Sequence, residues 1–230
     1  MKLAAVLWDM DGTLIDSEPY WHEAEYGLAR EHGGYWDEHL AWEGSGTPVD
    51  EVARRMIEHG TALDAVAIVD FLKRDVARRE REHMPWITGV EQVLRSLIAA
   101  GVPSVLVTTS PRGMAEHLIE QAPAGAFAGY ICGDDDMAHK PDPAPYLAAG
   151  KLVGVAPETM ATCVAIEDSI TGLTSAAASG ATTIAQEGFT AKPSPHGPQW
   201  ATLMSYEGVN AERLNNYVRS RLTTSGSERL

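Results

Sequence analysis

Cysteine is scarce in this chain: Cys132 and Cys163 are the only two in 230 residues, each inside an apolar, strand-like segment. That excludes a disulfide framework and leaves two small core residues as the reading. Basic residues are outnumbered as well, 18 Lys and Arg against 32 Asp and Glu, for a net charge of −14. Such a surface repels polyanions, so nucleic acid and anionic membranes are excluded as partners of the surface as a whole, although a local basic pocket stays open. No apolar run approaches the roughly 18 residues a membrane span needs. The opening "LAAVLWD" after Met1 and Lys2 is too short for the core and flank of a secretory signal. A cytoplasmic chain is expected. There is no internal repeat, no heptad run and no His/Cys cluster with ligand spacing. With 44% apolar and 22% charged residues, the chain has the composition of an ordinary globular protein and the length for one large domain or one domain with an insertion.

Short runs rich in Val, Ile and Ala recur: "KLAAVLW", "GVPSVLVT", "AGYICG", "ATCVAIED" and "ATTIAQ". Each reads as a strand buried on both faces, as in a parallel sheet. Helical stretches lie between them. In "TGVEQVLRSLIAAG" the residues Val90, Val93, Leu94, Leu97 and Ile98 share one face, and Gly101 ends it. "PRGMAEHLIEQA", "PAPYLAAGKLVG" and "SITGLTSAAASG" have the same character. This alternation predicts an α/β, doubly wound parallel sheet with right-handed crossovers. Between the first strand and the next, "EAEYGLAREHGG", "VDEVARRMIEHG" and "AVAIVDFLKRDVARREREH" carry helical periodicity and no strand. The expected division is therefore a core of residues 1–16 and 86–230 and an all-helical block of residues 17–85. After residue 188, "FTAKPSPHGPQW" reads as a Pro-rich loop, followed by a helix over 211–222 and a frayed tail, "TTSGSERL".

In an open α/β sheet, loops at the carboxyl ends of the strands meet over one crevice. Four polar clusters follow strands here: Asp9 and Asp11; Thr108, Thr109 and Ser110; "HKPDP" with Lys140; and Glu167 and Asp168. Carboxylates brought within about 4 to 6 Å raise one another's pKa unless a cation sits among them. All the donors are hard oxygens, so Mg²⁺ is favoured over zinc or copper. Lys140 adds a second positive charge. Ser110 and Pro111 suit an N-cap and first helical residue, whose free N–H groups would receive a phosphate. A lysine, a metal, an anion-binding helix start and a free aspartate suit phosphoryl transfer through an aspartyl-phosphate.

Taken in order, "DMDGT", "VTTS", the Lys of "HKPDP" and the "ED" of "AIEDS" resemble the motifs of the haloacid dehalogenase superfamily, over roughly residues 3 to 185. The helical insertion after the first motif is similar to the branch containing β-phosphoglucomutase, phosphoglycolate phosphatase and the sugar-phosphate phosphatases. The resemblance implies that Asp9 is nucleophile and metal ligand. It makes Asp11 the general acid and then base, with its main-chain carbonyl on the metal. Thr108 and Lys140 would hold the transferring phosphoryl group, with Thr109 and Ser110 adding donors, and Asp168 and Glu167 would complete the Mg²⁺ site. Gly44 and Thr47, in and after "WEGSG", fall where this branch carries a substrate-touching loop. Arg112 would reach either the phosphate or solvent. A carboxylate at Asp11 favours phosphate monoesters over dehalogenation, because only an alkoxide leaving group needs that proton.

The mutase pattern places a histidine where counting from Asp9 gives Trp21, with His22 one step off, and "DSEPYW" is more similar to the phosphatase hinge. A Mg²⁺-dependent phosphatase of a small phosphorylated metabolite, most plausibly a sugar phosphate, is therefore expected, acting as a monomer or weak homo-oligomer. Closure of the helical block would exclude bulk water. A phosphomutase and a non-catalytic phosphometabolite-binding regulator are the alternatives. A calcium loop fails, because its sixth and twelfth positions would be Leu14 and Tyr20 in place of Gly and Glu. Crowded Trp21, Trp36 and Trp42 read either as packing within the helical block or as a platform for a sugar ring. His32, His39, His59 and His117 read as solvated or capping residues, and Trp8 has no role in this reading.

Overall fold

In a computed structural model, residues 2–45, 47–189 and 197–227 are described. Two compact units divide the chain, one of Met1–Ile15 with Trp86–Leu230 and one of Asp16–Pro85.

The first unit is built on six strands: β1 (Ala5–Trp8), β2 (Ser104–Val107), β3 (Phe127–Ile131), β4 (Cys163–Glu167), β5 (Thr182–Gln186) and β6 (Ala201–Leu203). They form one sheet in the order β3-β2-β1-β4-β5-β6, with every pairing parallel. β1, β2, β4 and β5 are buried along their whole length, which is why β1, β2 and β4 read as mainly apolar runs. β3, at the sheet's edge, is only partly buried. The order reverses direction at β1, leaving a crevice outside the carboxyl ends of β1 and its neighbours β2 and β4.

Helices α5 (Val90–Ala100), α6 (Arg112–Gln121), α7 (Ala144–Leu152), α8 (Ile170–Ala178) and α9 (Ala211–Ser227), with a 3-10 turn at Pro157–Thr162, make the crossovers and the end of the chain. Alternate residues of β1 point to opposite faces. Ala5 and Leu7 join Val105, Val107, Cys163 and Ala165 against Tyr146, Ala149 and Ala176 of α7 and α8. Trp8 points the other way and is fully buried. Its Nε1 donates to Ser104 Oγ at 3.1 Å and its ring lies 6.0 Å from that of Tyr206. Both cysteines are free and buried.

Two readings of the C-terminal region change. β6 was not foreseen, because three residues carry no period. α9 extends to Ser227, past the expected stop at 222. Most of the Pro-rich loop, residues 190–196, lies outside the described residues, as do residues 228–230 of the expected frayed tail. In α5 the predicted face holds except for Ile98, which is exposed. Among the described residues, no helix is long and apolar enough to cross a membrane.

The second unit is helical: α1 (Glu18–Glu31), α2 (Glu38–Gly44), α3 (Val49–Glu58) and α4 (Ala65–Glu82). α2 carries no helical reading in the sequence, and its end overlaps the "WEGSG" stretch expected to be a loop. Asp37 opens the helix, accepting from the Leu40 N–H at 3.0 Å, so a cap supplies what its seven-residue length cannot show as periodicity. His32 and His59 are C-cap residues of α1 and α3. Trp36 is buried in the helical core with Trp21 packed against it, whereas Trp42 is exposed and meets the His22 ring edge-on at 4.8 Å.

Two acids of this unit, Glu25 and Glu80, are buried. Glu25 accepts from Trp36 Nε1 at 2.8 Å, and burial outweighs that bond, pushing its pKa from 4.5 up to about 7. Its contribution to stability is fully present below pH 4.5 and is lost as pH rises through 7, a change of order 3 kcal/mol at about 1.4 kcal/mol per pKa unit. Glu25→Gln keeps an acceptor for the indole and removes the titration. Melting of the full chain at pH 5 and pH 8 is expected to show wild type losing a few °C relative to the variant at the higher pH. A pH-independent difference would mean that Glu25 is ionised in the fold at both pH values.

Candidate active site

Four strand ends assemble the site. Asp9 directly follows β1, and its N–H bonds the Ile166 carbonyl of β4 at 3.0 Å, fixing the loop to the neighbouring strand. Gly12 has φ +75°, and a Cβ there would fall 2.3 Å from Asp168 Oδ2, so the turn needs glycine for both conformation and space.

Lys140 is the centre of the charge arrangement. Its ammonium donates to Asp9 Oδ1 at 2.7 Å, Glu167 Oε1 at 2.5 Å and the Val107 carbonyl at 2.8 Å. Burial would lower its pKa, but the Asp9 and Glu167 carboxylates outweigh burial and hold it above the ordinary lysine range. Glu167 is fully buried; its Oε1 also accepts from the Tyr146 hydroxyl at 2.6 Å, and its Oε2 accepts from Ser169 Oγ at 3.3 Å. Gly172 leaves room for it, since a Cβ there would sit about 2 Å from the carboxylate.

Asp9, Glu167 and Asp168 offer oxygens that all lie within 4.8 Å of one another. Burial first, and Glu167 second, push Asp9 to about 7 against the opposing pull of Lys140. Burial followed by Asp9 and Glu167 raises Asp168 well above the carboxylate range. One lysine does not balance three acids, two of them buried and the third partly so. The cluster fits a hard dication, because the donors are all oxygen and their mutual repulsion is what such an ion would relieve.

Asp11 stands outside that trio. Its Oδ2 accepts from Ser110 Oγ at 2.9 Å, tying the first loop to the one after β2. Thr108 is buried and its Oγ1 accepts from the Ser110 N–H at 3.0 Å; Thr109 is exposed. The helix-start reading needs correction. Pro111, not Ser110, is the N-cap of α6, and the Arg112 N–H is already taken by Asp134 Oδ2 at 2.6 Å. The Arg112 guanidinium is spent on Tyr130 and Asp135, at 2.9 and 2.6 Å, so it is not aimed at the carboxylate cluster. Asp134 and Asp135, in the loop after β3, are the acids that engage these two groups. His139 is exposed. Gly44 and Thr47 belong to the helical unit, where Gly44 ends α2 and Thr47 Oγ1 donates to the Gly44 carbonyl at 2.5 Å.

Tyr146, Ser169 and Gly172 were not foreseen as parts of the site. Tyr146 was legible only as an apolar position on a helix, and Ser169 as an N-cap, its Oγ accepting from the Gly172 N–H at 3.0 Å. Nothing local marks either one as a partner of Glu167.

A doubly wound sheet with carboxylates and a lysine gathered at its switch point defines a hydrolase-like catalytic core. A family model of haloacid dehalogenase-like hydrolases matches residues 3–180, and the chain belongs to that family. It is 31% identical over 187 residues to hexitol phosphatase A of Escherichia coli (strain K12), covering 80% of this chain and 83% of that one. It is 29% identical over 178 residues to validoxylamine A 7′-phosphate phosphatase of Streptomyces hygroscopicus subsp. limoneus, 76% of this chain and 81% of that one. Among solved structures it is similar in fold to β-phosphoglucomutase of Clostridium difficile, with TM-score 0.71, 17% identity and coverage of 96% and 99%.

Proposed function

We propose that this chain is a Mg²⁺-dependent phosphatase that hydrolyses small phosphate monoesters, sugar phosphates foremost, through an aspartyl-phosphate on Asp9. The observation that carries the proposal is Lys140, buried between Asp9 and Glu167 with Asp168 beside them. That arrangement sets Asp9 beside a positive charge that opposes the rise in its pKa and can also face phosphoryl oxygens.

An Asp9 oxygen attacks phosphorus, and the ester P–O bond breaks. Asp11, as the acid, gives its proton to the departing alkoxide. Asp11, now a carboxylate, takes a proton from a water whose oxygen attacks the same phosphorus. Inorganic phosphate leaves and Asp9 is restored. Asp9, Asp168 and the Asp11 main-chain carbonyl would hold Mg²⁺, with Glu167 beside them, and the ion would offset the charge of the phosphoryl oxygens. Ser110 orients Asp11 through its 2.9 Å bond, and Thr108 and Thr109 supply donors for the phosphoryl group. Gly44 and Thr47 are proposed to touch the substrate's organic part.

Hydrolysis is favoured over mutation by His22. Its Nε2 lies 2.9 Å from Ser45 Oγ and 3.3 Å from Glu18 Oε2 inside the helical unit, so it is already engaged, and Trp21 fills the position of the mutase histidine. The relatives named as phosphatases point the same way, whereas the likeness to a mutase structure concerns fold alone. The test is phosphate release over a panel of sugar and short-chain phosphates. Turnover should disappear with EDTA and return with Mg²⁺. A bisphosphate requirement without phosphate release would identify a mutase, and no turnover of any ester a binding regulator.

A further inference from the structure

Tyr206 lies beyond the region matched by the family model, between β6 and α9, in the stretch of sequence least marked by motif. It is nevertheless fully buried beneath the catalytic loop. Its hydroxyl donates to the Thr13 carbonyl at 2.9 Å, across 193 residues of sequence. Its ring lies against that of Trp8, the residue just before Asp9, with centroids 6.0 Å apart. The chain makes room for it at Gly89, where a Cβ would stand 2.8 Å from the Tyr206 Cβ.

Thr13 is also fully buried and two residues from Asp11, in the turn closed by Gly12 N–H to the Ile15 carbonyl at 2.8 Å. The other end of Thr13 points at the acids, with Oγ1 3.5 Å from Asp168 Oδ1. One residue thus receives the phenol on its carbonyl and faces Asp168 with its hydroxyl. A buried carbonyl deprived of its donor moves to find another or stays unsatisfied, and either outcome disturbs the turn.

We propose that Tyr206 is a positioning residue, its hydroxyl holding the Asp11–Gly12–Thr13 turn so that Asp11 and Asp168 keep their alignment with Asp9. The proposal rests on the reading of Asp11 as the acid of a phosphatase, and it predicts a leaving-group signature. Tyr206→Phe keeps the ring on Trp8 and removes only the donor. A poor leaving group depends on proton donation by Asp11 more than a good one does.

The experiment compares kcat/KM, which reports ester cleavage and not the shared hydrolysis of the aspartyl-phosphate, for wild type and Tyr206→Phe on phenyl phosphate and p-nitrophenyl phosphate at saturating Mg²⁺. On phenyl phosphate the variant should lose about tenfold or more in kcat/KM, the usual cost of removing an outer-shell partner. On p-nitrophenyl phosphate the loss should be clearly smaller. The ratio of the two rates does not depend on how much of the variant folds, so reduced yield leaves the test intact. An unchanged ratio overturns the proposal, whether both rates fall together or neither falls. Asp9→Asn run in parallel separates the two failures: activity there would sink the phosphatase reading, and an inactive Asp9→Asn with an unchanged Tyr206→Phe ratio sinks only this one.

Discussion

Asp9→Asn is expected to reduce phosphate release from any ester by at least about ten-thousandfold, the scale on which removal of a nucleophile acts. Asparagine keeps the size of the side chain and an oxygen to accept from Lys140, which now donates to Asp9 at 2.7 Å, so the loss would be chemical rather than structural. Stability should move the other way. Burial and the nearby Glu167 hold the pKa of Asp9 at about 7, so its favourable contribution is present at low pH and lost as pH rises through that value. At pH 8 in EDTA the variant should unfold at the same denaturant concentration as wild type or a higher one. Rates near wild type would exclude Asp9 as nucleophile. An inactive variant that is also much less stable would show instead that its carboxylate is a structural member of the cluster.

Lys140→Met is the opposite case, because both activity and stability should fall. The side chain is buried, and its ammonium is the cation touching both Asp9 and Glu167. Removing one partner of a buried ion pair leaves uncompensated charge, at a cost of about 3 to 5 kcal/mol. Urea unfolding in EDTA should report that loss, and kcat on p-nitrophenyl phosphate should drop by roughly a thousandfold, as for other electrostatic stabilisers of a transition state. Adding Glu167→Gln to Lys140→Met removes a charge the lysine was balancing. The double variant should regain part of the stability and none of the activity. If the single variant unfolds at the wild-type urea concentration, Lys140 is not what balances these acids.

Much of the core was legible because buried parallel strands must be apolar on both faces. β1, β2 and β4 therefore appear as short runs dominated by Val, Ile, Leu and Ala, and the acids at the ends of β1 and β4 stand out against them. Elements too short for a period were not legible: β6 has three residues, and α2 has seven and depends on its Asp37 cap. The partners of Arg112 and the start of α6 were not legible, for a different reason. Whether a guanidinium or a free N–H faces a ligand depends on what else is near, and Asp134 and Asp135 come from a loop some twenty residues further on.

The sequence by itself determined the fold class, the family and the acids and lysine proposed to carry the chemistry, because spacing within one strand end or one turn is a local property. Only the tertiary structure decided how those charges are balanced. It put the Tyr146 hydroxyl on Glu167, gave Trp8 a partner in Tyr206, and brought that tyrosine's hydroxyl to the Thr13 carbonyl. Each of these contacts joins residues between about twenty and two hundred positions apart. Hydrogen bonding and burial act over a few ångströms of space whatever the separation along the chain, so nothing in the local pattern around Tyr146 or Tyr206 could announce them.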